Sequence, residues 1–286
     1  MGKKSNRITC LSPAKINLFL QITGRRADGY HNLFSLMCCI GIYDRVTLFP
    51  GAATTSVLCK HPDVPEDDTN IAARAADIFF KSLKLPDKVG IVIEKRIPVG
   101  AGLGGGSSNA ATVLNALNRY YDTPFSMKEL ITLGLSIGAD VPFFIYGKPA
   151  LVSGIGEKLT PFGGLSPYPV VLVFPGIGIS TASIYKKLNL ALTKCKNQHN
   201  YYHLSNRTFR IERDLCNDLE ACAAARYPEI LQAKEALLAH GAKGALLSGS
   251  GSSVFGLFDD SGTAYRAGAA LSQHGMWEVF QPHMIV

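Results

Sequence analysis

The stretch Pro98-Val99-Gly100-Ala101-Gly102-Leu103-Gly104-Gly105-Gly106-Ser107-Ser108-Asn109 gathers five glycines ahead of two serine hydroxyls. Glycine admits positive φ and close approach of the backbone to an anion, and the N–H groups at a helix start favour negative charge. A phosphate fits such a loop. The same residues could also form a tight turn in which Ser107, Ser108 or Asn109 caps a helix. Their Gly100-x-Gly102-x-x-Gly105 spacing meets the dinucleotide fingerprint as well. Against a dinucleotide site, Tyr120-Tyr121-Asp122-Thr123-Pro124 leads to another helix rather than to a strand ending in an acid. No G-x-x-x-x-G-K-[ST] loop is present, so a nucleoside triphosphate held here draws its lysine from elsewhere.

Lys15 is the obvious donor. It shares a strand face with Asn17 in an otherwise apolar stretch, where an unpaired ammonium is costly, unless it simply snorkels to water from a strand end. Asp140, in Gly138-Ala139-Asp140-Val141-Pro142-Phe143-Phe144, is the best carboxylate to accept or orient a hydroxyl proton. An Asp after a glycine is equally an ordinary turn or cap residue. Ser248-Gly249-Ser250-Gly251-Ser252-Ser253 lies between two apolar strands, either as a plain hairpin turn or as a second loop lending N–H groups to a site. Tyr30, His31 and Tyr185, taken singly, are more often packing residues than ligand contacts.

The elements that position these residues follow from periodicity. Ala14 to Thr23 alternates Ile16, Leu18, Leu20 and Ile22 with Lys15, Asn17, Phe19 and Gln21, which predicts a half-buried strand. Arg25 to His31 reads as a polar turn, Asp44 to Phe49 as a strand, Asn70 to Leu83 as a helix, and Val89 to Glu94 as the strand leading to Pro98. Ala110, Val113, Leu114 and Leu117 recur at helical spacing, so the glycine loop opens a helix. Ser126-Met127-Lys128-Glu129 is a capping box for the next helix, with Gly138 as a stop. A Pro/Gly/Ser-rich stretch at 160–169 marks a boundary between domains at 1–165 and 166–286. Beyond it the pattern reads as a strand at 170–174, helices near 183–188, 214–225 and 228–240, strands at 244–248 and 253–258, a helix at 261–274 and a last strand. The polar stretch 194–206 follows no pattern.

With 286 residues, 47% of them apolar, the chain can bury a sizeable core. It carries no apolar run of the ~20 residues that crosses a bilayer and no signal-peptide core, which predicts a cytoplasmic protein without membrane partners. The seven cysteines are odd in number and form no C-x-x-C pair, so neither a disulfide framework nor a zinc site is expected. A net charge of +7 favours anionic ligands, yet the basic residues are scattered and no aromatic nucleic-acid motif occurs. Phosphorylated small molecules suit the chain better than nucleic acid.

Three segments, Pro13-Ala14-Lys15-Ile16-Asn17-Leu18, Gly102 to Ser108 and Ser248-Gly249-Ser250-Gly251, resemble in type and order the signature segments of the GHMP kinases, the family of galactokinase and of homoserine, mevalonate and phosphomevalonate kinases. Gly24 to Leu33 and Gly138 to Phe144 are similar to a branch of that family whose acceptor alcohol carries a cytidine diphosphate. The likeness covers nearly the whole chain. It implies an α+β fold of two domains, an N-terminal ribosomal-protein-S5-like domain and a C-terminal ferredoxin-like α/β sandwich, with an active site in the cleft between them. It implies ATP as phosphoryl donor with Mg²⁺, for which Ser108 is the candidate contact. By the same resemblance Lys15 and Asp140 are catalytic, and Pro98, Val99, Gly100, Ala101, Gly102, Leu103, Gly104, Gly105, Gly106, Ser107, Ser108 and Asn70 contact ATP. Asn17, Tyr30, His31, Tyr185, Gly249 and Gly251 contact the acceptor, with the aromatic rings around the cytosine.

Overall fold

The computed structural model describes residues 7–188, 195, 207–273 and 275–286. Apart from Cys195, the polar stretch 194–206 lies outside them. Two compact units alternate along the chain: Met1–Ala14, Ile42–Val99 and Gly104–Gly147 form one, and Lys15–Gly41, Gly100–Leu103 and Lys148–Val286 the other. Strands β1 (Ile8–Arg25) and β2 (His31–Pro50) contribute residues to both.

In the first unit, β4 (Val89–Glu94) alternates buried Val89, Ile91 and Ile93 with more exposed residues. It pairs antiparallel with Arg45–Pro50 of β2 and parallel with the short β3 (Ser56–Leu58). Helix α1 (Ile71–Leu83) buries Ala72, Ala73, Ala75, Ala76, Phe79 and Phe80, the stripe its period predicts. It packs on α2 (Gly105–Tyr120), whose buried Val113, Leu114 and Leu117 form the complementary face. Helix α3 (Met127–Leu135) opens with the expected capping box of Ser126 and Glu129. A short α4 (Val141–Tyr146), unforeseen from periodicity, buries Phe143 and Phe144.

The second unit holds β5 (Ala150–Gly154) antiparallel to Leu33–Met37 of β2, with β6 (Lys158–Pro161) beside it. Its other sheet runs β11 (Glu278–Phe280), β7 (Val170–Phe174), β10 (Val254–Leu257), β9 (Gly244–Leu247), all antiparallel. Val171, Val173, Leu247, Val254 and Phe258 share a core with Ile184 of α5 (Thr181–Lys187) and with Ile230 and Leu237 of the helix Glu229–Ala239. Leu271 of the helix Ser261–Gln273 joins the same core. Each such side chain contributes about 1.5–3 kcal/mol when fully buried. The strand β12 (Met284–Ile285) returns to pair with Cys39 and Ile40.

Three expectations need correcting. The strand at 14–23 is buried on both faces from Ala14 to Gln21, because neighbours cover the face of Lys15 and Asn17 as well as the apolar one. The single helix expected at 214–225 is a turn of helix at Ile211–Asp214, a strand β8 (Cys216–Asn217) and a short helix Glu220–Ala224. Pairing of Cys216 with Phe19 and of Asn217 with Leu20 on β1 overrides the local helical pattern. Finally, Cys195 and Cys216 form a disulfide, Cα to Cα 5.6 Å, between positions too far apart in the chain for motif spacing to connect. No helix among the described residues is long and apolar enough to cross a membrane.

Candidate active site

Helix α2 starts inside the glycine run. Gly104 is its N-cap, in the left-handed region at φ 70°, and no side chain caps it. Its first internal bond is Ser108 N to Gly104 O at 2.9 Å, so the N–H groups of Gly105, Gly106 and Ser107 have no partner within the helix. Ser107 and Ser108 lie within the first turn, which removes the capping-serine alternative. Ser108 is fully buried, and its hydroxyl accepts from Ser12 Oγ at 2.7 Å.

Upstream, in the second unit, four successive carbonyls of the loop are each anchored. Gly100 O accepts from Ile179 N (2.8 Å), Ala101 O from Ser253 N (3.1 Å), Gly102 O from Ser248 Oγ (3.1 Å) and Leu103 O from Lys15 N (3.0 Å). In a trans peptide the following N–H points opposite to the carbonyl, so the N–H groups of Ala101 to Gly104 face away from these anchors. That is a backbone built to present donors, the feature an anion requires. Pro98 and Val99, half-buried, lead into it.

The second glycine loop is more than a hairpin connection. Ser248 N donates to Ser253 O and Gly251 N to Ser248 O, and Gly249 takes φ 57°. A Cβ on Gly249 would lie 3.1 Å from Lys15 Nζ and 3.4 Å from Asn17 Oδ1, and one on Gly102 would lie 2.0 Å from Ser248 O and 2.9 Å from Gly251 N. Both loops and the Lys15–Asn17 strand therefore converge within one unit.

Lys15 is 4% exposed, which excludes snorkelling. Its ammonium donates to Asn17 Oδ1 at 2.6 Å, Asn17 Nδ2 donates to Ser35 Oγ at 2.8 Å, and Ser35 Oγ donates to Phe19 O at 2.5 Å. This chain of bonds sets the Asn17 amide with its oxygen toward Lys15. Asp140 is the N-cap residue of α4, half-buried, and its carboxylate makes no capping bond there. Asn70 caps α1: its Oδ1 accepts from Ala72 N at 2.9 Å and its Nδ2 donates to Pro65 O at 2.6 Å. A cavity of about 420 Å³ in the same unit is lined by residues 58–61 and 92–96. Lys95, one of its walls, stands against Gly105, where a Cβ would lie 2.9 Å from the lysine Nζ.

The aromatic candidates divide. His31 and Tyr185 pair at 5.3 Å between ring centroids, tilted by 38°. Burial, with a smaller contribution from Arg25, holds the imidazole below its ordinary pKa. Tyr30 stands 61% exposed at a turn fastened by Asp28, whose carboxylate accepts from Tyr30 N and Arg26 Nε.

These arrangements can be set beside known proteins. The family model for the GHMP kinases N terminal domain matches residues 70–148, and that for the GHMP kinases C terminal domain matches 204–275. The chain is a member of the GHMP kinase family. A 4-diphosphocytidyl-2-C-methyl-D-erythritol kinase of Syntrophotalea carbinolica is 46% identical to this GHMP kinase over 94% of the chain and 96% of the relative. A solved structure of 4-(cytidine 5'-diphospho)-2C-methyl-D-erythritol kinase superposes with TM-score 0.77 at 34% identity, covering 97% of this chain and 99% of the other. Homoserine kinase from Cytophaga hutchinsonii superposes with TM-score 0.74 at 18% identity, covering 100% of this chain and 99% of that one, a likeness of fold.

Within this GHMP kinase, two supporting residues escaped the reading of motifs. Ser35 orients Asn17, and Asn217 Nδ2 donates to both Leu247 O (2.8 Å) and Gly249 O (2.7 Å) beneath the second loop. The available signal was a lone polar side chain in an apolar strand at Ser35; Asn217 offered none.

Proposed function

We infer that the protein transfers the γ-phosphoryl group of ATP to the 2-hydroxyl of 4-diphosphocytidyl-2-C-methyl-D-erythritol, in the non-mevalonate route to isoprenoids. The His31–Tyr185 ring pair carries the choice of acceptor, in a chain similar over 94% or more of its length to kinases of that name. A cytosine offers a flat π face and an amide-like edge for these rings, whereas homoserine and mevalonate offer neither.

Phosphoryl transfer asks mainly for positioning and charge stabilisation. The N–H groups of Ala101 to Ser107 are proposed to bind the donor phosphates, with the Lys15 ammonium, held by Asn17, placed to stabilise charge on the transferring group. Asp140 is proposed to accept or to orient the acceptor's hydroxyl proton. Asn17, Gly249 and Gly251 line the acceptor side, and Tyr30 covers the cytosine with His31 and Tyr185. The cavity walled by Lys95 suits the base of the donor nucleotide, with Asn70 shaping the start of α1 in the same unit. Magnesium, when bound, offsets charge on the phosphate oxygens. Such an ion would need only one or two protein carboxylates beside substrate oxygens and water. Ser108, turned inward onto Ser12, is not assigned to it. Water-soluble nucleotides as both substrates are in keeping with a proposed cytoplasmic location.

A coupled ADP-release assay with the cytidylated acceptor, homoserine and mevalonate tests the reading. Turnover is expected only with the first. Lys15→Ala and Asp140→Asn should each lower turnover by about 10³-fold with an unchanged circular dichroism spectrum and melting temperature. Near-wild-type rates in either variant would remove that residue from the catalytic pair, and turnover of homoserine instead would overturn the acceptor.

A further inference from the structure

We propose that Asp44 is a positioning residue for the ATP-binding loop, holding both flanks of that loop from a fully buried site; the proposal rests on the kinase reading above. Asp44 belongs to β2, outside every motif segment, and is 0% exposed. One carboxylate oxygen, Oδ1, accepts from the backbone N–H groups of Arg96 (2.8 Å) and Ile97 (2.9 Å), where the chain leaves β4 for the loop. The other, Oδ2, accepts from Asn109 Nδ2 (2.9 Å) in the first turns of α2 and from the Lys95 ammonium. Asn109 Nδ2 also donates to Ser12 Oγ (3.0 Å), which in turn donates to Ser108 Oγ (2.7 Å). All of these residues lie in one unit.

A single carboxylate thus joins the entry and the exit of the segment 96–109, and sets where the N-terminus of α2 lies relative to the end of β4. Electrostatics argues that this purpose is geometric. A negative charge beneath an anion-binding loop opposes phosphate, and a buried carboxylate is costly unless paired. Lys95, whose side chain is 7% exposed, supplies the pairing and offsets the charge. Position is the contribution that remains. Errors of about 1 Å in such a scaffold reduce rates by about 10²-fold, so a buried group of this kind acts on the donor nucleotide without touching it.

Asp44→Asn separates the two halves of the arrangement. The amide oxygen can still accept from Arg96 and Ile97, but the new NH₂ group faces the Asn109 NH₂ and the Lys95 ammonium, donor against donor. The full-length variant is expected to raise the KM for ATP about tenfold while the KM for the cytidylated acceptor stays within about twofold. Asp44→Asn combined with Asn109→Asp restores a donor facing an acceptor and should return the ATP KM to within about threefold of wild type. A general folding defect would move both KM values together and would not be rescued. If Asp44→Asn does not fold, Asn109→Ala, which leaves the ion pair with Lys95 intact, is measured in its place and should show the same selective rise. Equal changes in both KM values, no change in either, or failure of the double variant to recover overturns the proposal. A wild-type protein that releases no ADP with any acceptor would instead remove the kinase reading itself.

Discussion

Burial holds the His31 imidazole below its ordinary pKa of 6.5, and the Arg25 guanidinium pushes in the same direction. A depressed histidine pKa means that the neutral ring persists to lower pH than in an unfolded chain, so at pH 7 the ring keeps one donor and one acceptor. Protonation turns both nitrogens into donors and adds a charge beside Arg25, and it occurs only as pH falls through that lowered value. The KM for the cytidylated acceptor should therefore be flat between pH 7 and 8 and rise only below 6.5, while His31→Gln should lose that acid limb. Tyr185→Ala should raise the same KM by about 3- to 10-fold, the worth of one stacked ring, and leave the ATP KM alone. A parallel rise in the ATP KM would detach Tyr185 from the acceptor. Lys15 and Asn17 stood out in the sequence because polar side chains inside an apolar strand need partners. Tyr185 and His31 did not stand out by local pattern, since their pairing depends on contacts between distant parts of the chain. Ser35, Asn217 and Asp44 are ordinary polar residues until their partners are placed around them.

At the scale of elements, the glycine loop works because its carbonyls are fastened by neighbours and its N–H groups are not used up by a capping side chain. Gly102 is the position with least room to change. Its φ is +75°, and an added Cβ would lie 2.0 Å from a backbone oxygen and 2.9 Å from a backbone nitrogen, neither of which can swing aside as a side chain could. Gly102→Ala should thus push the two glycine loops apart and lower kcat/KM by about 10²-fold or more, with a loss of stability of about 1–3 kcal/mol. Gly163→Ala, where nothing lies within 4 Å, serves as the control and should keep wild-type activity. Equal activity in the two variants would show that the loops have slack. The elements legible in the sequence were those with local determinants: α3 from its capping box, α1 from its apolar stripe, β4 from its alternation. Those that were not, β8 and α4, are short pieces whose conformation is decided by pairing or burial against distant residues.

For the whole molecule, the Cys195–Cys216 disulfide is a determinant that cysteine counting could not reveal. Closing a loop with a sequence separation of 21 residues removes chain entropy from the unfolded state worth about 3 kcal/mol. The pair is also supported by hydrogen bonds that do not depend on it: Asp218 accepts from Cys195 N at 3.0 Å through one oxygen and from Ile22 N at 2.8 Å through the other, and Asp218 N donates to Leu20 O at 2.9 Å. Reduction should therefore lower the free energy of unfolding by up to ~3 kcal/mol without dissolving the native fold, because it acts by returning entropy to the unfolded chain. A thiol-reducing compartment keeps many such pairs open, so both forms have to be measured. Urea unfolding of the oxidised protein, the reduced protein and the Cys195→Ser/Cys216→Ser double variant makes the comparison, with the double variant expected to match the reduced form and to ignore reductant. Assignment of the thiols is simplified by Cys38 and Cys39, which burial pushes up to about 12, so that they stay protonated and unreactive in the native state at neutral pH. Coincident urea midpoints for the oxidised and reduced proteins would mean that the unfolded chain gains nothing from release of this loop, and the loop-closure account of the disulfide would fail.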